Sequence, residues 1–132
     1  MGPAKAGKTR IANALAAADA TAATSATSLD AYVPTVGVRI VETEHNLAKG
    51  LNARADELQL ELWDASGDRK YESCWSAMLK TAQPAGVLVV YDPNERTGGS
   101  DAELWYKSFV APLKLSASQV MIVAHQRDPL GK

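Results

Sequence analysis

The sequence has a single cysteine, Cys74, so no intrachain disulfide can close, and no grouping of Cys and His has the spacing of a zinc site. A reducing compartment is expected. Charge of one sign is also missing: 14 Lys and Arg stand against 15 Asp and Glu, a net charge of -1. Without a basic field, nucleic acid is not an expected partner. No apolar run approaches a membrane span, and the N-terminus lacks the apolar stretch of a secretory signal. Lipid attachment patterns are lacking too, since Gly2 is followed by Pro3 and Ala6 stands where myristoylation wants Ser or Thr. The sequence closes on Gly131-Lys132 without a prenylation cysteine. No direct membrane anchor is expected. What is present is 132 residues, 46% of them hydrophobic, enough for one packed domain over 1–132.

The most informative stretch is Gly2-Pro3-Ala4-Lys5-Ala6-Gly7-Lys8-Thr9, which reads G-x-x-x-x-G-K-[ST], the phosphate-binding loop pattern. Glycines free the backbone to turn successive N–H groups onto phosphate oxygens. Lys8 is expected at the β- and γ-phosphates and the Thr9 hydroxyl on Mg²⁺. Arg10 to Ala18 is alanine-rich and helical in propensity, so the loop sits on a helix N-terminus suited to an anion. Such a loop ordinarily follows a buried strand, and only Met1 precedes Gly2.

Further along, Asp19 to Ser28 is a small-residue segment without apolar periodicity, read as a loop. Val36 to Glu44 is β-branched and roughly alternating, a strand. Asn46 to Asp56 reads as a long polar hairpin connection. Leu58 to Trp63 is the returning strand, with Leu58, Leu60 and Leu62 expected on its core face. A helix is expected from about Lys70 to Ala82, and Gly86 to Asp92 is a continuous apolar run typical of a buried parallel strand. Asp101 is expected to cap a helix running to about Phe109, stopped by Pro112. Gln119 to Ala124 reads as a second buried strand, leading into His125-Gln126-Arg127-Asp128-Pro129. Strands alternating with helices imply an α/β fold with a mostly parallel sheet and helices on both faces, with ligands at the strands' carboxyl ends.

A Mg²⁺-nucleotide site also needs a carboxylate at the end of a neighbouring strand, and Asp64 follows Leu58 to Trp63 in the right order. Gly67, three residues on, allows a backbone N–H to approach a γ-phosphate. A helix N-cap is the plain structural alternative for Asp64. Trp63, Trp75 and Trp105 divide between core and partner surface, with Trp75 open to either role. His45 reads as a solvated strand end and Cys74 as a packing residue.

With the loop, Tyr32-Val33-Pro34-Thr35, Trp63-Asp64-Ala65-Ser66-Gly67 and His125 to Asp128 in this order, the chain resembles a Ras-type small GTPase with the P-loop NTPase small G-domain fold. It is similar in particular to the divergent Rab-like branch that serves as a subunit of intraflagellar transport complex B. The segments carrying that likeness include Pro34 to Ile40, Glu61 to Asp64, Tyr71 to Trp75, Leu104 to Tyr106 and Ile122 to His125. The resemblance implies GTP or GDP with Mg²⁺ as cofactors. It implies nucleotide contacts from Ala4, Lys5, Ala6, Gly7, Lys8, Thr9, Arg10, Thr35, Gly67, His125, Gln126 and Asp128, and metal contacts from Thr9, Thr35 and Asp64. It further implies coiled-coil subunits of the transport complex as partners, in the cytoplasm, the cilium or flagellum and its basal region. Relative to the family, the first strand and a C-terminal strand and helix are expected to be lacking, leaving the G domain incomplete at both ends.

Two departures bear on chemistry. Active members carry glutamine directly after the second-switch glycine to orient the attacking water, and this chain has Asp68, so hydrolysis is expected to be slow or absent. The guanine motif N-K-x-D becomes His125-Gln126-Arg127-Asp128, which keeps the carboxylate that accepts from the guanine edge. Asp128 also has a plain alternative as a turn residue before Pro129. The functions left open are a GTP-binding interaction module, a P-loop small-molecule or nucleotide kinase using Arg69 or Arg96, and a nucleotide-free scaffold.

Overall fold

A computed structural model describes residues 1–17, 33–46 and 57–126. Helix α1 spans Lys8–Ala17, where alanine and other good helix formers face few competing side chains. Strands β1 (Val38–Asn46) and β2 (Glu57–Ala65) form an antiparallel ladder in which Val38 stands opposite Ala65 and Arg39 opposite Asp64. Helix α2 (Glu72–Ala82) is entered through a 3-10 turn at Arg69–Tyr71. It buries Trp75, Met78 and Leu79, the i, i+3, i+4 spacing of one helix face. It ends at Gln83 in the left-handed region, just before Pro84.

Strand β3 (Val87–Tyr91) pairs in parallel with β4 (Val120–Ala124), Val87 opposite Val120. Between them lies α3 (Gly98–Trp105), which continues through a π-helical turn at Tyr106–Val110 and a 3-10 turn at Ala111–Leu113. The helix begins three residues before Asp101. Thr97 rather than Asp101 precedes it, and the Thr97 hydroxyl donates to Asp101 Oδ2 at 2.8 Å within the first turn. Gly98 packs so closely on the end of β3 that a Cβ there would lie 2.1 Å from the Asp92 carbonyl oxygen.

The core collects Ala65, Trp75, Leu79, Val89, Trp105 and Val110 with their neighbours. Trp75 and Trp105 stack tilted with centroids 4.2 Å apart, and Phe109 meets Trp75 edge-on at 5.2 Å. Trp75 is 2% exposed, so its side chain is core and not partner surface.

Two expectations about burial need correction. Leu58, the second residue of β2, is 40% exposed and not on the core face. Strand β4 is not buried on both faces, since Met121 and Ile122 are 61% and 54% exposed among the described residues. The α/β class holds, but the described strands form two separate two-stranded ladders, one antiparallel and one parallel, in place of a single mostly parallel sheet. Between β2 and β3 lies a cavity of about 340 Å³, lined by Leu15, Leu60, Leu62, Met78, Val87 and Leu88 among others. Met1 stands at its side, its nitrogen donating to Leu88 O at 2.6 Å and its carbonyl accepting from Val90 N at 2.8 Å. That exchange has the slanted pattern of a parallel pair and delivers the loop Gly2 to Thr9 to the carboxyl end of β3.

Candidate functional site

The loop Gly2 to Thr9 needs its glycines where they stand. Gly2 has φ 138° and a Cβ on it would meet the Val90 carbonyl oxygen at 2.0 Å; Gly7 has φ 89° and a Cβ would lie 2.2 Å from His125 Nδ1. Lys5 also takes a positive φ, 62°, a conformation uncommon for a residue with a side chain. Ala6 is buried, whereas Ala4, Lys5 and Arg10 are exposed around the rim. The Gly7 carbonyl accepts from Ile11 N at 3.1 Å, closing the first turn of α1. The N–H groups of that turn have no partners within the helix, and the helix dipole favours an anion in front of them.

Lys8 folds back over this loop, its Nζ donating to Pro3 O at 2.7 Å. Burial pushes its pKa down from 10.5 to about 8, partly offset by the Asp64 carboxylate. A phosphate in front of α1 offers this ammonium a stronger acceptor than the carbonyl it now holds.

Three oxygen ligands of the same hard character meet beside the loop. Thr9 at the start of α1 places Oγ1 2.8 Å from Thr35 Oγ1 and donates to Asp64 Oδ2 at 2.7 Å. Thr35, from the segment leading into β1, approaches Asp64 Oδ2 at 3.4 Å. Asp64 is 5% exposed at the end of β2 and caps no helix. Its Oδ1 is buried and has no hydrogen-bond partner among the described residues. An orphaned buried carboxylate oxygen next to two hydroxyls suits a small hard cation. Among the described residues no group of three or more His, Cys, Asp or Glu is gathered elsewhere for a metal. A site of one carboxylate and two hydroxyls fits Mg²⁺, which keeps several waters and relies on phosphate oxygens for the rest.

The two segments flanking this cluster are tied together. Ser66 N donates to Gly37 O at 2.8 Å, and Trp75 Nε1 donates to Ser66 O at 2.7 Å, anchoring the residue after β2 to the aromatic core. Gly67 lies against the phosphate loop, where a Cβ would come within 2.4 Å of Ala4 N. Asp68 is engaged locally: it caps the following 3-10 turn through Lys70 N at 3.1 Å and pairs with Lys70 Nζ at 3.1 Å. The Lys70 N–H, and then the Lys70 ammonium, hold its carboxyl below the usual range.

At the other side of the loop, His125 N donates to Tyr91 O at 2.8 Å, extending the β3–β4 pairing by one residue. Its ring leans on Gly7, and Nδ1 is buried without a partner among the described residues. Gln126 is exposed. Arg127 and Asp128, and Tyr32 of the first-switch segment, lie outside the described residues. The structure thus brings Thr9, Thr35 and Asp64 together, sets Gly67 and His125 against the loop from opposite sides, and leaves Arg10 and Gln126 at the rim.

One participant was not singled out from the sequence. Arg39 on β1 places Nη2 3.7 Å from Asp64 Oδ2 and donates to Asn13 Oδ1 on α1 at 2.6 Å. The signal available was strand alternation: position 39 shares a face with Thr43, which reaches Ala16 O on the same helix. Neither Arg69 nor Arg96 joins the loop; both are exposed.

Comparison with known proteins shows the family. The family model described as Roc, the Ras of Complex domain of DAPkinase, matches residues 1–128. The chain is 39% identical over 132 residues to the intraflagellar transport protein 22 homolog of Danio rerio, covering 99% of this chain and 65% of that protein. It is 36% identical over 131 residues to the Homo sapiens protein of the same description, with the same coverage. It is also 37% identical over 105 residues to intraflagellar transport associated protein 2 of Caenorhabditis elegans, covering 73% of this chain and 40% of that one. The chain therefore spans about 65% of the length of the first two.

Proposed function

The chain belongs to the Roc family of Ras-like G domains, and from that premise we propose that it binds GTP or GDP with Mg²⁺ and acts as a Rab-like subunit of the intraflagellar transport machinery. The convergence of Thr9, Thr35 and Asp64 from three distant segments, beside Lys8 and in front of α1, carries the nucleotide part. Lys8 would hold the β- and γ-phosphates and the backbone from Ala4 to Arg10 would wrap them, with the Gly67 N–H available to the terminal phosphate. Thr9, Thr35 and Asp64 would hold the metal, which would supply charge neutralisation of the phosphates. His125, Gln126 and Asp128 frame the base. Residues 1–132 belong to one G domain, and the cavity between β2 and β3 is where a further strand would join both ladders into a single mostly parallel sheet.

Hydrolysis is slow at most. Asp68 offers no amide to orient water, and its carboxylate is already committed to Lys70. The nucleotide orders the segments around Thr35 and Gly67, and the ordered surface docks on coiled-coil subunits of complex B. Likeness to proteins named for intraflagellar transport supports that role and a cilium-related place; within that reading the chain works in the cytoplasm, at the ciliary base and in the cilium or flagellum.

Titration with fluorescent GTP, GDP and ATP in Mg²⁺, followed by single-turnover phosphate release, tests this proposal. Guanine-selective binding without fast release is expected. Transfer of phosphate to a small acceptor would establish a kinase instead, and no binding of any nucleotide would leave a scaffold.

A further inference from the structure

The face of β1 and β2 turned toward α1 carries a cation at the metal-side cluster. Arg39 and Asp64 are directly opposite in the ladder, and their side chains approach to 3.7 Å beneath α1. Asn13, one turn beyond Thr9 on that helix, holds the guanidinium in place by accepting from Nη2 at 2.6 Å. The Asp64 side chain is 1% exposed, so water contributes little to balancing its charge. Arg39 and Thr9 act on the same oxygen, Oδ2, and leave Oδ1 unpartnered.

We propose that Arg39 is a resident counter-cation of the metal site, a positioning residue that keeps Thr9, Thr35 and Asp64 assembled without Mg²⁺ and reduces the dependence of nucleotide retention on the metal. The inference rests on the nucleotide-binding function proposed above. Its physical basis is that the buried Asp64 charge is already compensated on one oxygen. A divalent ion entering beside it gains less from the carboxylate and is repelled by the fixed guanidinium. Removing the guanidinium leaves Asp64 with the Thr9 and Thr35 hydroxyls and the more distant Lys8 ammonium, so the cluster then depends more on the ion.

The test uses the full chain loaded with fluorescent GDP, its release followed at several free Mg²⁺ concentrations down to excess chelator. In the native protein, release is expected to quicken less than about threefold on chelation. In Arg39→Gln, which keeps a donor toward Asn13 but loses the charge, it is expected to quicken about tenfold or more. Arg39→Lys, which keeps the charge, is expected to follow the native profile. Melting of the nucleotide-free proteins with Mg²⁺ alone gives a second reading, with a larger upward shift in Arg39→Gln than in the native chain. Equal sensitivity to chelation in native and Arg39→Gln proteins would overturn the role of Arg39 while leaving nucleotide binding intact. So would Arg39→Lys behaving as Arg39→Gln. Failure of the native protein to take up GDP at any Mg²⁺ concentration would instead overturn the nucleotide site itself.

Discussion

Lys8 offers the sharpest test of the phosphate loop, because its chemistry changes in an accessible pH range. Burial holds its pKa near 8, against 10.5 for an exposed lysine. A bound phosphate would favour the ammonium and raise that value again, so binding takes up a proton wherever free Lys8 has lost one. If the bound form stays charged throughout, affinity follows the protonated fraction of the free protein. That fraction falls from roughly 0.9 at pH 7 to roughly 0.1 at pH 9, a loss of about tenfold in affinity. Fluorescent GDP titrated at pH 7, 8 and 9 reads it directly. Lys8→Arg removes the titration, since arginine stays charged, and its affinity is expected to be nearly flat over the same range. The nucleotide-free protein responds in the opposite sense. Between about 8 and 10.5 the unfolded chain holds more protons on Lys8 than the folded one, so stability rises with pH through that window. The cost of burying the charge, on the order of 3 kcal/mol, is felt in full well below pH 8. An equal pH slope in the native and Lys8→Arg proteins would refute the assignment of Lys8 to the phosphates.

Two further substitutions probe the frame around the loop. Gly7→Ala forces a Cβ to within 2.2 Å of His125 Nδ1 at a φ of 89°; it is expected to abolish nucleotide uptake and to cost about 1–3 kcal/mol of stability. Retained uptake would mean the loop does not hold this shape when occupied. Trp75→Phe keeps an aromatic ring but strips the indole donor from Ser66 O. Denaturant melts are expected to show a loss of about 2 kcal/mol, and a loss below about 0.5 kcal/mol would show that this buried bond is dispensable.

The phosphate loop, the strand ending in Asp64 and the following Gly67 were legible in the chain because each depends on local chemistry at fixed spacing. Glycine is required where the backbone takes a positive φ, and a small side chain where two segments touch; both demands are visible one residue at a time. The order of helices and strands was legible as well, since Trp75, Met78 and Leu79 repeat at helical spacing and Val87 to Tyr91 is continuously apolar. Coverage was not. Alternation tells which strand residues share a face, but not whether another layer lies over them, which is why Leu58 and Met121 proved exposed. The start of α3 was misplaced because Asp101 looks like a cap, yet Thr97 and Gly98 begin the helix and Asp101 takes the favourable place of an acid in its first turn.

By itself, then, the sequence determined that a glycine-bounded loop precedes a helix and that a carboxylate and a glycine follow a strand. These properties reside in short stretches where neighbouring residues dictate one another's conformation. Tertiary structure decided what faces Asp64. Thr9, Thr35 and Arg39 reach one carboxylate oxygen from separate elements, and Asn13 fixes the arginine from a helix 26 residues away. Only the packing of α1 across the β1–β2 ladder brings these groups within a few ångströms of an Asp64 side chain that is 1% exposed, so that water does little to screen its charge. Packing of α2 against α3 and the turn after it likewise committed Trp75 to the core, a choice that helix periodicity leaves open.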